Sequence, residues 1–375
     1  MRLTVIGAGI AGLACAVELA EHGESVEVLE HGEQLGSSSC SWYAGGMLAP
    51  WCELESAEPL VGGRGSESLV ARQNIVAQQC VVGQQCVVGQ QSVVAQQSIV
   101  AKLGIESIAW WRKRFPGTAQ NGSLVIAQGR DTGELVRFAR RTERFEWLDG
   151  ESIAALEPDL AGRFGRALFF RDEGHLDPRA ALAGLVRRLG ELGVPIRFGV
   201  ESSPAAMPGR RVIDCRGLAA RDVLTDLRGV KGEMVLLRCR DISLSRPIRM
   251  LHPRVPMYIV PRGDGLFMVG ATMIESDEPT RISARSMLEL LSAAYALHPA
   301  FGEAEVIEIG TGVRPAFPDN LPRIRRRNGI LYVNGLYRHG FLLAPSLARR
   351  VAEIVLHDRY FPEVMDEDPR ERRLA

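Results

Sequence analysis

Three glycines, Gly7, Gly9 and Gly12, stand in G-x-G-x-x-G spacing within VIGAGIAG, and a carboxylate, Glu30, follows at the end of SVEVLE. Those residue types in that order suit the pyrophosphate and ribose of a dinucleotide. Gly7 allows a tight turn, Gly9 lets the backbone approach a pyrophosphate, and Gly12 permits close helix–strand packing. A helix that starts at Ile10 and Ala11 offers free N–H groups and a positive dipole end to phosphates. Glu30 can accept hydrogen bonds from a ribose hydroxyl. The motif by itself does not separate FAD from NAD. Neither a Ser/His/Asp constellation nor a metal-ligand cluster competes with it.

The elements that must position these residues are legible around them. Leu3–Ile6 is a short apolar run fit for a strand, and Ile10, Leu13, Ala14 and Val17 then recur at helical spacing. The helix should stop at His22-Gly23, where glycine suits a C-cap, and Ser25–Leu29 should be the second strand. Further on, Met257–Val260 and Leu266–Val269 flank Pro261-Arg-Gly-Asp-Gly265, which predicts a β-hairpin with Tyr258 projecting opposite to its neighbours. Pro315 biases Arg314 toward an extended backbone, which sends its long side chain away from the local chain. Ile330–Val333 predicts a strand, followed by a loop with Gly335 and Gly340 and then a helix, with Pro345 in its first turn. Asp177-Pro178, after His175, predicts another helix start, with Asp177 as N-cap. Arg323, Arg325, Arg326 and Arg327, before Asn328-Gly329, are expected in a solvated turn.

Bulk properties narrow the class. The chain has 375 residues, 46% hydrophobic and 24% charged, enough for one large domain or two ordinary ones. Lys+Arg and Asp+Glu are both 45, so charge gives no reason to expect nucleic acid or an anionic membrane as partner. No apolar run approaches the roughly 20 residues of a bilayer span. Seven cysteines without a C-x-x-C pair suggest neither a disulfide framework nor a zinc site. With no signal-like leader at the start, a reduced, cytoplasmic protein is the expectation.

Small residues surround Gly45-Gly46-Met47 in SSSCSWYAGGMLAPWCELESAE, as a backbone lying against a flat ring requires. Here the sequence resembles the glycine oxidase branch of the D-amino-acid oxidase family of flavoproteins, the branch that serves thiamine biosynthesis. Residues 213–222 (IDCRGLAARD), 257–273 (MYIVPRGDGLFMVGATM), 311–322 (TGVRPAFPDNLP) and 331–348 (LYVNGLYRHGFLLAPSLA) continue the resemblance in order. It covers nearly all of the chain outside residues 61–102. The resemblance implies FAD as cofactor, with contacts at Gly46, Met47, Gly217, Gly340, Phe341 and Leu342 besides the glycine fingerprint. The last cysteine, Cys239, lies outside the flavin-facing blocks, so FAD is expected to be non-covalent. Oxidising an amino acid at a flavin requires a carboxylate anchor, and arginine grips both oxygens. Arg314 is the candidate anchor, Tyr258 the hydroxyl donor to the same carboxylate, and Arg338 a third active-site candidate. Met47 and Met273 match positions lining the substrate pocket. The last helix would point its N-terminus at the flavin pyrimidine.

Residues 76–98, VAQQCVVGQQCVVGQQSVVAQQS, repeat a six-residue unit almost four times. Residues 61–102 are read as an insertion, with a mobile excursion favoured over a short β or helical piece. A helix is disfavoured because six residues turn about 600°, so no apolar stripe persists. Val pairs would favour self-association if exposed, hence a homo-oligomer. The expected fold is α/β: a Rossmann-like FAD domain from 1–50, 147–225 and 305–375, and a sheet-rich α+β substrate domain from 51–146 and 226–304. The expected reaction is oxidative deamination of glycine or a similar small amine, with dioxygen giving hydrogen peroxide and iminoacetate passing to thiazole assembly by thiazole synthase. A D-amino-acid or sarcosine oxidase is the enzymatic alternative. A repeat-organised assembly protein with a vestigial flavin site is the alternative from another class.

Overall fold

The structure, a computed structural model, describes residues 2–53, 85–252 and 256–366, without the side chains of 85–98. The chain opens with β1 (Leu3–Ile6), α1 (Ile10–Glu21), β2 (Val26–Leu29) and the short β3 (Met47–Leu48). Next come α2 (Gln85–Arg114), β4 (Ser123–Ala127), α3 (Thr132–Ala139), β5 (Glu146–Asp149), α4 (Gly150–Leu156) and β6 (Arg166–Phe170). Then follow β7 (Gly174–His175), α5 (Pro178–Glu191), β8 (Ile196–Arg197) and β9 (Arg211–Asp214). A run of strands follows: β10 (Arg228–Arg238), β11 (Ile248–Leu251), β12 (Met257–Pro261), β13 (Leu266–Gly270) and β14 (Ile274–Glu275). The chain continues with α6 (Ala284–Leu297), β15 (Glu305–Ala316), β16 (Arg323–Arg327), β17 (Ile330–Asn334) and α7 (Gly340–His357).

Two large sheets result. The first has six strands in the order β16-β17-β9-β1-β2-β8, all parallel except β16. Its central strands β1 and β2 are short and buried on both faces, as a parallel sheet covered by helices requires. Residues of α1, α2, α5 and α7 form one core against it, including Leu13, Val17, Trp110, Trp111, Leu182 and Leu347. The second sheet has nine strands in the order β14-β10-β13-β12-β11-β4-β6-β5, with β15 also pairing β10. Its side chains alternate as period two demands. Ile248, Met250, Met257, Ile259, Val235 and Leu237 join the core under α6. The residues between them, Arg249, Tyr258 and Leu236, project from the other face, as does Met234.

Several expectations on local structure hold. β12 and β13 pair antiparallel as the predicted hairpin. Asp177 accepts from the Ala180 N–H and Pro178 opens α5. The domain boundaries shift, however. β5 and β6 lie in the nine-stranded sheet, so residues 147–170 go with it and not with the FAD half. β15 also pairs along β10, so residues 305–316 belong there too. Short strands such as β5 and β6 carry no local sign of which sheet will take them.

The arginine run is a strand, not a solvated turn. The turn is Asn328-Gly329, with φ of 50° and 75°, the two positive values a tight hairpin needs. Arg325 is held by Asp226 and Asp366 at 2.6 and 2.7 Å. Pro345 lies inside α7, whose first residue is Gly340. A proline there leaves the carbonyl of Phe341 without its helical donor. The Trp111 indole N–H donates to that carbonyl at 2.7 Å.

The repeat needs the largest correction. Residues 61–84 lie outside the described residues, but 85–102 are helical and run unbroken into 103–114. Val100 and Ala101 are part of the core, so the end of the 61–102 segment is built into the fold. Val100, Leu103, Ser107, Trp110 and Trp111 form a buried stripe. Once that half is packed, each further helical residue adds a hydrogen bond without a new nucleation cost. This explains how the helix extends back through units that have no stripe of their own.

Candidate active site

The fingerprint glycines are required by contact. An added Cβ on Gly12 would sit 1.9 Å from the Gly7 carbonyl oxygen, and one on Gly7, at φ 101°, would sit 2.6 Å from the Cys215 oxygen. Gly9 caps α1 without a side-chain acceptor, and no acidic residue lies in the first helical turn. That leaves the first turn of α1 without a carboxylate of its own, which suits a phosphate. Ile10 donates its N–H to Ser41 Oγ at 3.2 Å; Ile10 is buried and Ala11 half-buried. Glu30 is buried and ties the surrounding loops together. Its oxygens accept from the Ala8 and Gly32 N–H groups and from Ser38 Oγ at 2.5, 2.8 and 2.6 Å. A carboxylate has about four acceptor positions, so one is left for a ribose hydroxyl. These residues fit a dinucleotide.

Small residues carry the chain from the fingerprint toward the second sheet. Gly46 has φ 73°, and a Cβ there would meet the Leu176 oxygen at 2.2 Å. A Cβ on Gly45 would meet the Tyr258 ring at 2.6 Å, so this loop lies directly against Tyr258. Arg262 fixes the loop by donating to the carbonyls of Leu176, Ala44 and Gly45 at 2.6, 3.0 and 2.8 Å. Burial pulls its pKa down to about 10, with Asp177 and Tyr258 opposing that. Met47 is half-buried and pairs with His175 through β3 and β7.

On the nine-stranded sheet, register brings the candidates to one face. Arg249 is opposite Tyr258, Tyr258 opposite Gly270, and Gly270 opposite Met234. Arg314 is opposite Val230, two residues along from Gly232 on the same face. A Cβ on Gly232 would collide with the Arg314 guanidinium at 2.1–2.4 Å, so that glycine makes the space in which it lies. Arg314 Nη1 donates to the Thr272 carbonyl at 3.1 Å. Met273, the next residue, is 38% exposed, and its sulfur is 3.0 Å from Arg338 Nη1. Arg338 Nη2 in turn lies 3.3 Å from Glu53 Oε2, and Glu53 Oε1 lies 3.1 Å from Arg249 Nη1. Contact by contact, Arg314, Met273, Arg338, Glu53, Arg249, Tyr258 and Gly45 thus surround one region.

The start of α7 closes the same region. A Cβ on Gly340 would lie 3.3 Å from Ile10 Cγ2, which brings the two helix N-termini together. Phe341 and Leu342 turn their side chains into the core, so only their backbone is available to a cofactor. Gly217, φ 58°, is held by its carbonyl, which accepts from Asn334 Nδ2 at 2.8 Å. His339 is buried, and its Nε2 has no hydrogen-bond partner among the described residues. Burial pushes its pKa down to about 4; Glu53 opposes, while Arg338, Arg249 and Arg314 add to the fall.

Sequence reasoning missed Glu53, Arg249, Arg262 and His339. Arg249 had a signal, a charged residue at an alternating position in the apolar strand IRML. The others had none, because their partners lie far along the chain.

The fold and the site define a class. Residues 2–354 match the family described as FAD dependent oxidoreductase, and the chain belongs to it. It is an FAD-dependent amino-acid oxidase, and FAD is its cofactor; the assembly-protein alternative falls with that. A Rhizobium etli protein named as a thiamine biosynthesis oxidoreductase, ThiO, is 50% identical over 364 residues, 97% of this chain and 99% of its own. Glycine oxidase of Bacillus licheniformis is 27% identical over 280 residues, 68% of this chain and 74% of its own. The crystal structure of glycine oxidase from Geobacillus kaustophilus superposes with a TM-score of 0.72 at 22% identity, covering 96% of each chain. No helix among the described residues is long and apolar enough to cross a membrane.

Proposed function

We propose that this chain oxidises glycine, or a similarly small amine, to its imine and serves the thiazole of thiamine. The observation that carries the reading is Arg314. Its guanidinium lies over a glycine on the face that Tyr258 shares, and among the described residues it meets no carboxylate of the protein. A fork of that kind grips both oxygens of a substrate carboxylate. Tyr258 donates its hydroxyl to the same carboxylate, and Arg338 lines the site beside Met273. Bound FAD, held non-covalently, supplies the electron sink for the hydride leaving the substrate's Cα.

The protein's own residues then have defined tasks. Arg314 and Tyr258 fix the carboxylate, so the Cα–H keeps one orientation through the reaction. Arg262 holds the backbone of residues 44–45 in place and keeps that wall of the site rigid. Met47 and Met273 line the side-chain end with apolar surface in this reading. The N–H groups at the start of α7 favour negative charge on a ring placed against them.

The acceptor in this reading is dioxygen, reduced to hydrogen peroxide. Iminoacetate either hydrolyses to glyoxylate and ammonia or passes to thiazole synthase. The name of the Rhizobium relative supports that placement. A panel of glycine, sarcosine and small D-amino acids, read by peroxide release, tests it. Glycine is expected to have the highest kcat/KM, and a clear preference for a larger D-amino acid would replace this reading.

A further inference from the structure

Glu53 lies in none of the segments that carry the fingerprint or the carboxylate anchor, yet it occupies the middle of the site. It is 6% exposed, and its two oxygens face two different arginines. Oε1 is 3.1 Å from Arg249 on β11, and Oε2 is 3.3 Å from Arg338 in the loop before α7. One carboxylate therefore bridges a strand of the nine-stranded sheet and the loop leaving the six-stranded sheet.

Its position is built from both sides. Glu173, fully buried, accepts the N–H groups of Trp51 and Cys52 at 2.9 and 2.7 Å. Arg249 donates to the Cys52 carbonyl at 2.6 Å as well as to Glu53. Arg249 also lies over the Phe138 ring, 5.2 Å from its centroid, which restricts the guanidinium further. The peptide before Glu53 is thus held by a carboxylate on its N–H side and a guanidinium on its carbonyl side.

The charges then divide unequally. Arg249 and Arg338 share the single charge of Glu53. Arg314, whose contact is the Thr272 carbonyl, is matched by no carboxylate among the described residues. A site arranged in this way has one cation waiting for an anion, and beside it two cations already engaged by one carboxylate.

We infer that Glu53 is a specificity-determining residue: by bridging Arg249 and Arg338 it limits the site to ligands carrying one carboxylate. This rests on the oxidase reading above, in which Arg314 receives the substrate carboxylate. A second carboxylate on a small ligand would have to lie against Glu53 or displace it from its two arginines, and a close like-charge contact or a broken ion pair opposes either.

Malonamate and malonate test this, because they have nearly the same shape and differ by one charge. Neither carries an amine to be oxidised, so binding is read without turnover, from the change in flavin absorbance on titrating the FAD-bound enzyme. Wild-type enzyme should bind malonamate roughly 10-fold or more tighter than malonate, as expected for like charges within about 8 Å at an effective dielectric near 20. Glu53→Gln should bring the two ligands together or reverse their order. Glu53→Asp, which keeps the charge, should retain the preference. Wild-type enzyme that binds malonate as tightly as malonamate overturns the proposal, whether or not either variant folds. So does a Glu53→Gln variant that weakens both ligands equally, which would make Glu53 a brace only. Glycine turnover by wild-type enzyme is scored separately, so a wrong substrate and a wrong role for Glu53 give different results.

Discussion

Replacing Trp111 by Phe isolates the contact that lets a proline sit inside α7. Trp111 is fully buried, and its indole N–H is the donor to the Phe341 carbonyl, which Pro345 cannot serve. Phenylalanine keeps most of the stacking on Phe341, where the rings are 5.9 Å apart and 26° from parallel. What it loses is the N–H, and a buried acceptor left unpaired costs about 1–3 kcal/mol. The smaller ring adds a cavity cost, which a single variant cannot separate from the hydrogen bond. Pro345→Ala separates them. Alanine at 345 restores the main-chain N–H four residues after Phe341, the standard helical donor to that carbonyl. In the Trp111→Phe background it should recover about 1 kcal/mol more than it does in wild type. Urea midpoints of the four FAD-bound proteins give this coupling directly. Effects that add within about 0.5 kcal/mol would refute the reasoning, because independent sites behave that way. Loss of FAD from Trp111→Phe that Pro345→Ala reverses would further show that the bond places the start of α7 against the cofactor.

Three further outcomes are expected. Glu30→Gln loses charge-assisted bonds to the Ala8 and Gly32 N–H groups, so FAD affinity should fall by roughly 10- to 100-fold, measured by flavin fluorescence on dilution; an unchanged affinity would remove Glu30 from the site. Burial pushes the pKa of both His175 and His339 down from 6.5 to about 4, so the native state binds fewer protons than the unfolded chain between those values. Their contribution to stability is present above pH 6.5 and lost as pH falls toward 4. Burial raises Glu173 from 4.5 to about 7, against the bonds from Ser123, Cys52 and Trp51, so its contribution is present below pH 4.5 and lost as pH rises through 7. Glu173→Gln should therefore change stability more favourably at pH 8 than at pH 5 in urea titrations, and equal changes at both would contradict the assignment.

What the sequence makes legible is what neighbouring residues decide. The glycine turn, α1 and β2 follow from a local pattern, as do the hairpin β12–β13 and the Asp177-Pro178 helix start. Tyr258 and Arg314 are legible as candidates because the resemblance to the flavoprotein family falls on them, while strand alternation and the proline say only how their side chains project. The errors have a common cause in distance along the chain. Pro345 looks like a helix start until Trp111, 230 residues before Phe341, supplies the missing donor. The arginines of β16 look solvated until Asp226 and Asp366 come to meet Arg325. Glu53 and Arg249 are 196 residues apart, and neither has a local feature that announces the other. The helix through residues 85–102 fails a periodicity test on its own repeat and forms as the continuation of a packed segment that passes it.

The central claim is that Arg314 holds the carboxylate of a small amino acid for oxidation by FAD. Anaerobic mixing of the holoenzyme with glycine tests it most directly, followed by the loss of oxidised-flavin absorbance in wild type and in Arg314→Ala. Wild-type enzyme should bleach with glycine. The variant should keep its flavin but need far more glycine, losing about 2–5 kcal/mol in kcat/KM, the usual cost of truncating one side of a buried charge pair. Wild-type enzyme that stays yellow at any glycine concentration, or a variant that bleaches with wild-type kcat/KM, would contradict the claim.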